Sequence, residues 1–225
     1  MLKGKETLTP LQKKLLFDFG KVHDSAYFFL TGGTALAEFF LGHRHSYDLD
    51  LFTTEKNLVA PFSTVLEREL REYGYVLQTV RRFESFVEIQ AEQGAMNVQI
   101  HLAYDSPFRF AEPELSEYGV KINDYQDLVA DKVLTFFGRW MHRDAVDLFF
   151  ILKREPIGDL LKMAKQKDPG FDLYWFAVAL GEAEGFSDDI NQWPVEMLCD
   201  MNVKELKQQF STLSKNIMDE IKNRC

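Results

Sequence analysis

The chain has 225 residues, of which 26 are Lys or Arg and 35 are Asp or Glu, so its formal net charge at pH 7 is −9. Hydrophobic residues make up 46% and aromatic residues 14% of the sequence, which excludes a disordered chain and allows one large or two small domains. The acidic balance argues against binding to double-stranded DNA, because phosphate contacts require Lys and Arg.

The apolar runs of the sequence are short. The longest, 26–30 and 148–152, are far below the roughly 20 residues that span a membrane. The first residues are charged and contain no apolar stretch, and the chain holds 2 cysteines. We therefore expect a cytoplasmic protein without a membrane segment, a secretory signal or a disulfide framework.

The first half of the chain alternates between predicted strands and helices. An apolar run at 27–30 predicts a buried strand, which Thr31-Gly32-Gly33 ends in a tight turn before a short helix at 34–41. Glu92-Gln93-Gly94 predicts a hairpin turn. The remaining expected elements are, in chain order, a strand at 48–52, a helix at 61–73 and strands at 75–80, 85–91 and 96–103.

From about residue 123 the hydrophobic spacing becomes that of helices. The candidates are 124–140, 143–153, 157–167, 171–184 and 203–223. Strands that come first and helices that come last predict an α+β fold, a mixed sheet with flanking helices followed by a helical C-terminal domain. We place the predicted domains at 1–120 and 121–225.

Asp48 and Asp50 occupy alternate positions of a predicted strand. They therefore point to the same face, about 6–7 Å apart along the strand, where two like charges repel each other. A divalent cation would convert that repulsion into a ligand set, since Mg²⁺ binds carboxylate oxygens together with water and substrate phosphates. This pair predicts a Mg²⁺ or Mn²⁺ site for phosphoryl or nucleotidyl transfer.

Gly32 and Gly33 lie between a predicted strand and a predicted helix. The missing Cβ atoms allow the backbone to approach a phosphate closely, and the helix N-terminus supplies free N–H donors. Thr34 is predicted to add a hydroxyl group, and Arg44 to bind a phosphate through both ends of its guanidinium group. We do not read His43 and His45 as metal ligands, because no zinc-site spacing accompanies them.

The sequence 31–52, with its glycine turn, Gly42-His43-Arg44-His45-Ser46 and Asp-x-Asp strand, resembles the AbiEii/AbiGii-type nucleotidyltransferases of the DNA-polymerase-β-like superfamily. A second stretch agrees with this resemblance. Lys132 lies in an early C-terminal helix, and Arg143-Asp144-Ala145-Val146-Asp147-Leu148 opens the next helix.

The resemblance implies a metal-dependent transfer of a nucleoside monophosphate from an NTP to an acceptor hydroxyl, with RNA such as tRNA as the acceptor. It also implies a toxin that a cognate antitoxin neutralises. Residue by residue, it implies that Arg44 and Ser46 belong to the nucleotide site, that Lys132 contacts the triphosphate and that Asp144 is a functional position. Arg139 shares the basic face of the Lys132 helix and is a further nucleotide-binding candidate. For Arg139 the structural alternative is a solvated cation, and for Asp144 it is a helix-capping acid or a partner in an internal ion pair.

The chain departs from the superfamily at the third carboxylate, which many members carry on a later strand. Here the strand 97–102 offers Gln99 and His101 on its outer face instead. His101 is a candidate catalytic base in its neutral form, with an ordinary pKa of about 6.5, and the alternative is a plain polar strand residue. Glu88 or Asp105 could supply the missing acid.

Two other functions stay open from the sequence. The absent third carboxylate suggests a catalytically lapsed module that binds a nucleotide or a partner on the same fold. A phosphohydrolase that uses the same acids is a weaker alternative, supported only by His142-Arg143-Asp144.

Overall fold

Within residues 1–224, which the structure (a computed structural model) describes, seven strands form one mixed sheet. The chain divides into two compact units, 1–128 and 129 onward. The elements of the first unit are α1 (Pro10–Phe19), β1 (Phe28–Thr31), α2 (Gly32–Ala35) with a π-helical continuation (Leu36–Leu41), β2 (Asp48–Thr53), α3 (Val59–Glu72), β3 (Val76–Arg82), β4 (Phe86–Gln93), β5 (Met96–Tyr104), β6 (Glu114–Leu115) and β7 (Lys121–Ile122).

The sheet has the strand order β3-β4-β5-β2-β1-β7-β6. β2 lies at its centre, antiparallel to β1 and parallel to β5, while β3, β4 and β5 form an antiparallel meander. In this register Asp50 faces Thr31 on one side and His101 on the other. The strand that carries both predicted acids is therefore flanked by paired strands on both sides.

One face of the sheet is buried under α1 and α3. The ring of Phe28 on β1 stacks on Phe62 of α3 with their centroids 4.2 Å apart, and Phe19 of α1 meets Phe62 edge-on at 5.5 Å. Leu49 and Leu51 of β2 point to this face and are fully buried. Because side chains alternate along a strand, the residues between them point to the opposite face, which carries the polar groups.

Helix α1 was not expected from the sequence, although its start signal is present. Thr9 caps the helix, Pro10 occupies its first turn, and the side chain of Gln12 accepts a hydrogen bond from the backbone N–H of Thr9. The reciprocal bond from the N–H of Gln12 to Thr9 Oγ1 completes a capping box. The two-residue strands β6 and β7 were also not expected, since two residues carry no periodic pattern.

The second unit is helical. Its elements are the larger part of α4 (Tyr125–Arg139), α5 (His142–Leu152), α6 (Ile157–Lys167), α7 (Leu173–Glu182) and α8 (Val203–Arg224). Phe136 of α4 is the centre of its core and meets Phe210 at 5.4 Å and Phe176 at 6.4 Å. Trp140, which the helical spacing assigns to the apolar face, instead lies beyond the last residue of α4, 43% exposed and with φ of 29°.

The prediction of an α+β fold with strands first and helices last is confirmed. The predicted domains 1–120 and 121–225 stay a prediction, although the first compact unit extends to residue 128 and includes β7. Among the described helices, none is both long and apolar enough to cross a membrane.

Candidate active site

Asp48 and Asp50 lie together on the polar face of β2. Both are half-buried and alternate with the fully buried Leu49 and Leu51, as the sequence pattern predicts. Asp50 keeps about a quarter of its side chain exposed, at 25%. The two carboxylates are therefore held in place by a buried strand and still open to a ligand.

At Gly32 the backbone of the turn lies closer to the Asp50 carboxylate than a residue with a Cβ atom would allow. Gly32 has a φ of 71°, in the left-handed region, and a Cβ atom at that position would collide with the carboxylate of Asp50. A Cβ atom on Gly33 would lie 2.6 Å from Nη2 of Arg44 and 2.9 Å from Oγ of Ser46. The two glycines thus bring the Asp50 carboxylate, the Arg44 guanidinium group and the Ser46 hydroxyl group to one turn.

Thr34 connects the helix after the turn to the acid strand. Its hydroxyl group is buried and donates a hydrogen bond of 2.5 Å to the backbone carbonyl of Asp48. This contact fixes the start of β2 against α2. It favours a positioning role for Thr34 over the phosphate contact that the sequence suggests.

Residues 42–47, hereafter the 42–47 loop, carry Arg44 and Ser46. Arg44 is buried, and its Nη1 donates to the carbonyl oxygen of His45 at 2.9 Å, so the loop wraps around its own guanidinium group. Nδ1 of His45 lies 2.8 Å from the carbonyl oxygen of Thr7 and therefore carries the proton of that bond. His45 is thus a structural donor in this loop.

His101 lies directly beside Asp50 across the parallel pair β2–β5. Its Nδ1 is 2.8 Å from Oδ1 of Asp50, so Nδ1 donates and only Nε2 is left for a proton transfer. The hydrogen bond to Asp50 raises the pKa of His101 above 6.5, assisted by the charges of Asp50, Asp48 and Glu88 and opposed by burial. The imidazole is therefore more often charged near pH 7 than an isolated histidine, which weakens it as a general base.

Two acids were considered as replacements for the missing third carboxylate. Glu88 on β4 pairs with His101 and is buried, but the side-chain amide of Gln99 donates to it and Nε of Arg81 lies 3.2 Å from it. Asp105 follows β5, and its carboxylate accepts a hydrogen bond of 3.1 Å from Nη1 of Arg109. Each of these two acids is thus paired with an arginine, Arg81 for Glu88 and Arg109 for Asp105. The side chain that donates to the Asp50 carboxylate is that of His101.

The second predicted motif forms a buried ion-pair cluster in the helical unit. Nζ of Lys132 lies 2.7 Å from Asp147 and 3.9 Å from Asp144, and both carboxylates are fully buried. Arg139 binds Asp144 through both Nε and Nη2, at 2.8 and 3.1 Å. The structure brings Lys132, Arg139 and Asp144 together, and it buries Lys132, for which the resemblance implies a triphosphate contact.

Two polar residues near the acid face carry no recognisable sequence signal. Asn123 is fully buried, and its Nδ2 donates to Oγ1 of Thr31, the residue before the glycine turn, at 3.1 Å. The guanidinium carbon of Arg109 lies 4.2 Å from the ring centre of Phe29 on β1. Both contacts depend on tertiary structure, so no local motif could have indicated them.

The fold has solved counterparts. A candidate nucleotidyltransferase from H. pylori superposes with a TM-score of 0.59 and 15% identity, covering 97% of this chain and 99% of that chain. The protein JHP933 from Helicobacter pylori gives a TM-score of 0.55 and 15% identity, covering 99% of this chain and 96% of that one. At this identity the likeness shows the fold alone: the chain shares its α+β fold with these two proteins.

Family comparison goes one step further. Residues 14–177, most of the chain, match the family described as the nucleotidyl transferase AbiEii toxin of type IV toxin–antitoxin systems. The chain belongs to this family, which confirms the resemblance found in the sequence. No curated protein sequence matches it.

The donor set of the acid face fits a hard divalent cation. Two half-buried carboxylates on one strand, with the Asp50 carboxylate packed against a glycine turn, offer the oxygen ligands that such an ion binds. Within residues 1–224 no group of three or more His, Cys, Asp or Glu side chains could hold a metal ion. An ion at Asp48 and Asp50 would therefore complete its coordination with substrate oxygens and water, as Mg²⁺ commonly does.

Proposed function

We propose that the protein is a Mg²⁺-dependent nucleotidyltransferase that moves a nucleoside monophosphate from an NTP to an acceptor hydroxyl and releases pyrophosphate. Mn²⁺ is the alternative ion. The observation that carries this proposal is the placement of Asp48 and Asp50 on one face of β2, with the Asp50 carboxylate against Gly32. A bound divalent ion there would neutralise charge on the transferred phosphorus and align the attacking oxygen.

The triphosphate has donors on the other side of the glycine turn. Backbone N–H groups of Gly32 and Gly33 can approach a phosphate because no Cβ atom intervenes. Arg44 and Ser46, next to Gly33, supply a charged donor and a hydroxyl donor. Lys132 and Arg139 are carried over from the family resemblance as further contacts, and Asp144 as a functional position that orients them.

The acceptor and the biological role are proposed from the family resemblance. Membership in a toxin family supports growth arrest as the outcome and an antitoxin protein as a partner. RNA, with tRNA as the first choice, is the acceptor we propose. The net charge of −9 leaves broad double-stranded DNA binding out of this proposal.

The test is a labelled-nucleotide assay on the intact chain. Each α-labelled NTP is incubated with the protein, Mg²⁺ and total RNA, pyrophosphate is measured, and the labelled product is sized. We expect Mg²⁺-dependent pyrophosphate release together with label in RNA for at least one NTP. NTP binding without pyrophosphate release, across all four NTPs and with Mn²⁺ as well, would contradict the proposal.

That contrary result would favour the alternative, a module that binds a nucleotide without turning it over. The observation behind this alternative is that His101, not a carboxylate, faces Asp50 across the β2–β5 pair. A His101→Asp variant separates the two functions, since it restores three acids on one face. Turnover that is absent in the wild type and present in this variant would identify a lapsed enzyme.

A further inference from the structure

The N-terminal segment contacts the 42–47 loop through two long-range hydrogen bonds. Nε2 of Gln12 donates to the carbonyl oxygen of Ser46 at 2.8 Å, and Nδ1 of His45 donates to the carbonyl oxygen of Thr7 at 2.8 Å. These bonds join residues 34 and 38 positions apart. The loop that carries Arg44 and Ser46 is thus attached to a segment that the family motif does not include.

The same segment is anchored to the helix that follows the glycine turn. The fully buried carboxylate of Glu38, in the π-helical stretch, accepts hydrogen bonds from the N–H of Thr7 at 2.6 Å and from its hydroxyl at 2.7 Å. The N–H of Leu8 also donates to it, at 3.2 Å, and the N–H of Lys5 donates to its backbone carbonyl at 2.7 Å. The segment therefore joins the helix after Gly33 to the loop that packs against Gly33.

Gln12 makes this connection with both ends of one amide. Its Oε1 accepts from the N–H of Thr9 at 2.9 Å, which completes the helix cap, while its Nε2 donates to Ser46. A glutamate would serve the cap equally well, since Glu is a standard residue at this position of a capping box. An ionised carboxylate has no hydrogen to donate, so it could not hold the carbonyl of Ser46.

We propose that Gln12 is a positioning residue of the nucleotide site. By fixing the Ser46 carbonyl, it keeps Oγ of Ser46 and the guanidinium group of Arg44 against Gly33, where both would meet the triphosphate. This inference rests on the proposed function, because the triphosphate is its ligand. The acid pair is held by β2, which Gln12 does not contact in these bonds, so binding should depend on Gln12 more than chemistry does.

The experiment compares Gln12→Met with Thr9→Ala in the full-length chain. Each variant loses one of the two bonds of the capping box: Thr9→Ala loses the acceptor for the N–H of residue 12, and Gln12→Met loses the acceptor for the N–H of residue 9. Only Gln12→Met also loses the donor to Ser46. We expect similar decreases in melting temperature, because each variant removes one of the two reciprocal bonds of the capping box. We expect KM for the NTP to rise about tenfold in Gln12→Met alone, with kcat within about twofold of the wild type. Calorimetric binding of a non-hydrolysable NTP with Mg²⁺ should show the same difference in affinity.

A third variant, Gln12→Glu, keeps the acceptor for Thr9 and removes the donor. Because residue 12 is fully buried, its carboxylate would face the Ser46 carbonyl oxygen out of contact with water. We therefore expect at least the KM increase of Gln12→Met and a larger decrease in melting temperature. Hydrogen exchange of the 42–47 amides should be faster in both Gln12 variants than in Thr9→Ala.

The outcomes separate this inference from the proposed function. Wild-type KM in Gln12→Met, or an equal rise in Thr9→Ala, would overturn the role of Gln12 and leave the proposed function in place. A wild-type protein that binds no NTP with Mg²⁺ or Mn²⁺ would overturn the proposed function and the nucleotide role of Gln12 with it.

Discussion

At the residue scale, Asp50 is the most constrained group of the acid face. It pairs with Thr31 on β1 and with His101 on β5, and its carboxylate packs directly against Gly32. Asp48 is held differently, through the bond from Thr34 to its backbone carbonyl. The two acids therefore share a face and have distinct supports, so their substitutions can be interpreted separately.

Replacement of Asp48 or Asp50 by Asn should abolish Mg²⁺-dependent transfer and leave the fold intact. An amide removes the anionic ligand, but in Asp50→Asn its carbonyl oxygen can still accept the bond from His101. Removal of one of two like charges should shift the unfolding free energy by less than about 1 kcal/mol. Pyrophosphate release and urea unfolding measure the two effects, with the exposed Asp159→Asn as control. Full activity in Asp50→Asn would contradict the metal assignment.

Lys132→Ala should destabilise the protein strongly. The variant leaves the fully buried Asp147 without its cation at 2.7 Å, and loss of one partner of a buried pair costs about 3–5 kcal/mol. Lys162→Ala is the matched control, because Lys162 is 79% exposed in its pair with Asp159 and such pairs contribute about 0–1 kcal/mol. Equal unfolding free energies for the two variants, measured in urea, would show that Lys132 does not stabilise the helical unit.

At the element scale, one carboxylate links the end of α1 to the residue before β3. Asp18, near the end of α1, accepts hydrogen bonds from Lys14 at 3.0 Å, from Lys21 at 2.9 Å and from the Tyr75 hydroxyl at 3.0 Å. Burial acts to raise the pKa of Asp18, but the bonds from Lys21, Lys14 and Tyr75 outweigh it and lower this pKa overall. Burial and Asp18 raise the pKa of Tyr75, so its hydroxyl stays a donor at neutral pH.

The stability contribution of Asp18 should depend on pH in one direction. Because its pKa is lower in the folded state than the unfolded value of about 3.9, the contribution is present above that value and is lost as the pH falls through the folded pKa. Asp18→Asn should therefore lower the unfolding free energy by about 2 kcal/mol at pH 7, and the difference should shrink below pH 4. Urea unfolding from pH 3 to 7 measures it, with the exposed Asp219→Asn as control. A difference that is constant with pH would contradict this account.

The long elements could be predicted because their side-chain periods are visible locally. Strand β2 and helix α6 lie within one residue of the expected positions, and the outward placement of His101 follows from the alternation along β5. The bond between His101 and Asp50 could not be predicted, because it depends on the register of two strands about fifty residues apart. The burial of Lys132 likewise depends on carboxylates from the next helix.

At the scale of the whole molecule, the first compact unit ends at residue 128, beyond residue 120, where we place the end of the first predicted domain. β7 pairs in parallel with β1, and the N–H of Asn123 donates to the carbonyl oxygen of Leu30 at 2.9 Å. Residues just after position 120 therefore protect the edge of the strand that leads into the glycine turn. A sheet edge without this cover exposes unpaired backbone groups.

A fragment that ends at residue 120 should consequently melt at a lower temperature than one that ends at residue 128. The shorter fragment loses β7, and with it the pairs β1–β7 and β6–β7, as well as the bond from Asn123 to Thr31. It retains the other strand pairs of the sheet. Circular dichroism melting of both fragments, with light scattering to detect aggregation, measures the difference. Equal melting temperatures would show that 1–120 is the better domain definition.

The parallel pairing of β2 with β5 also sets an order of assembly. Asp48 and Asp50 are synthesised early, but the strand that orients Asp50 ends only at Tyr104, after the whole β3–β4–β5 meander. Pairings between distant segments form late, because the entropic cost of closing a long loop must be met before the new contacts stabilise it. A nascent or truncated chain that stops before β5 thus carries both acids without the imidazole that holds Asp50. In this member of a toxin family, the acid face is therefore complete only well after the Asp48–Asp50 motif itself has been translated.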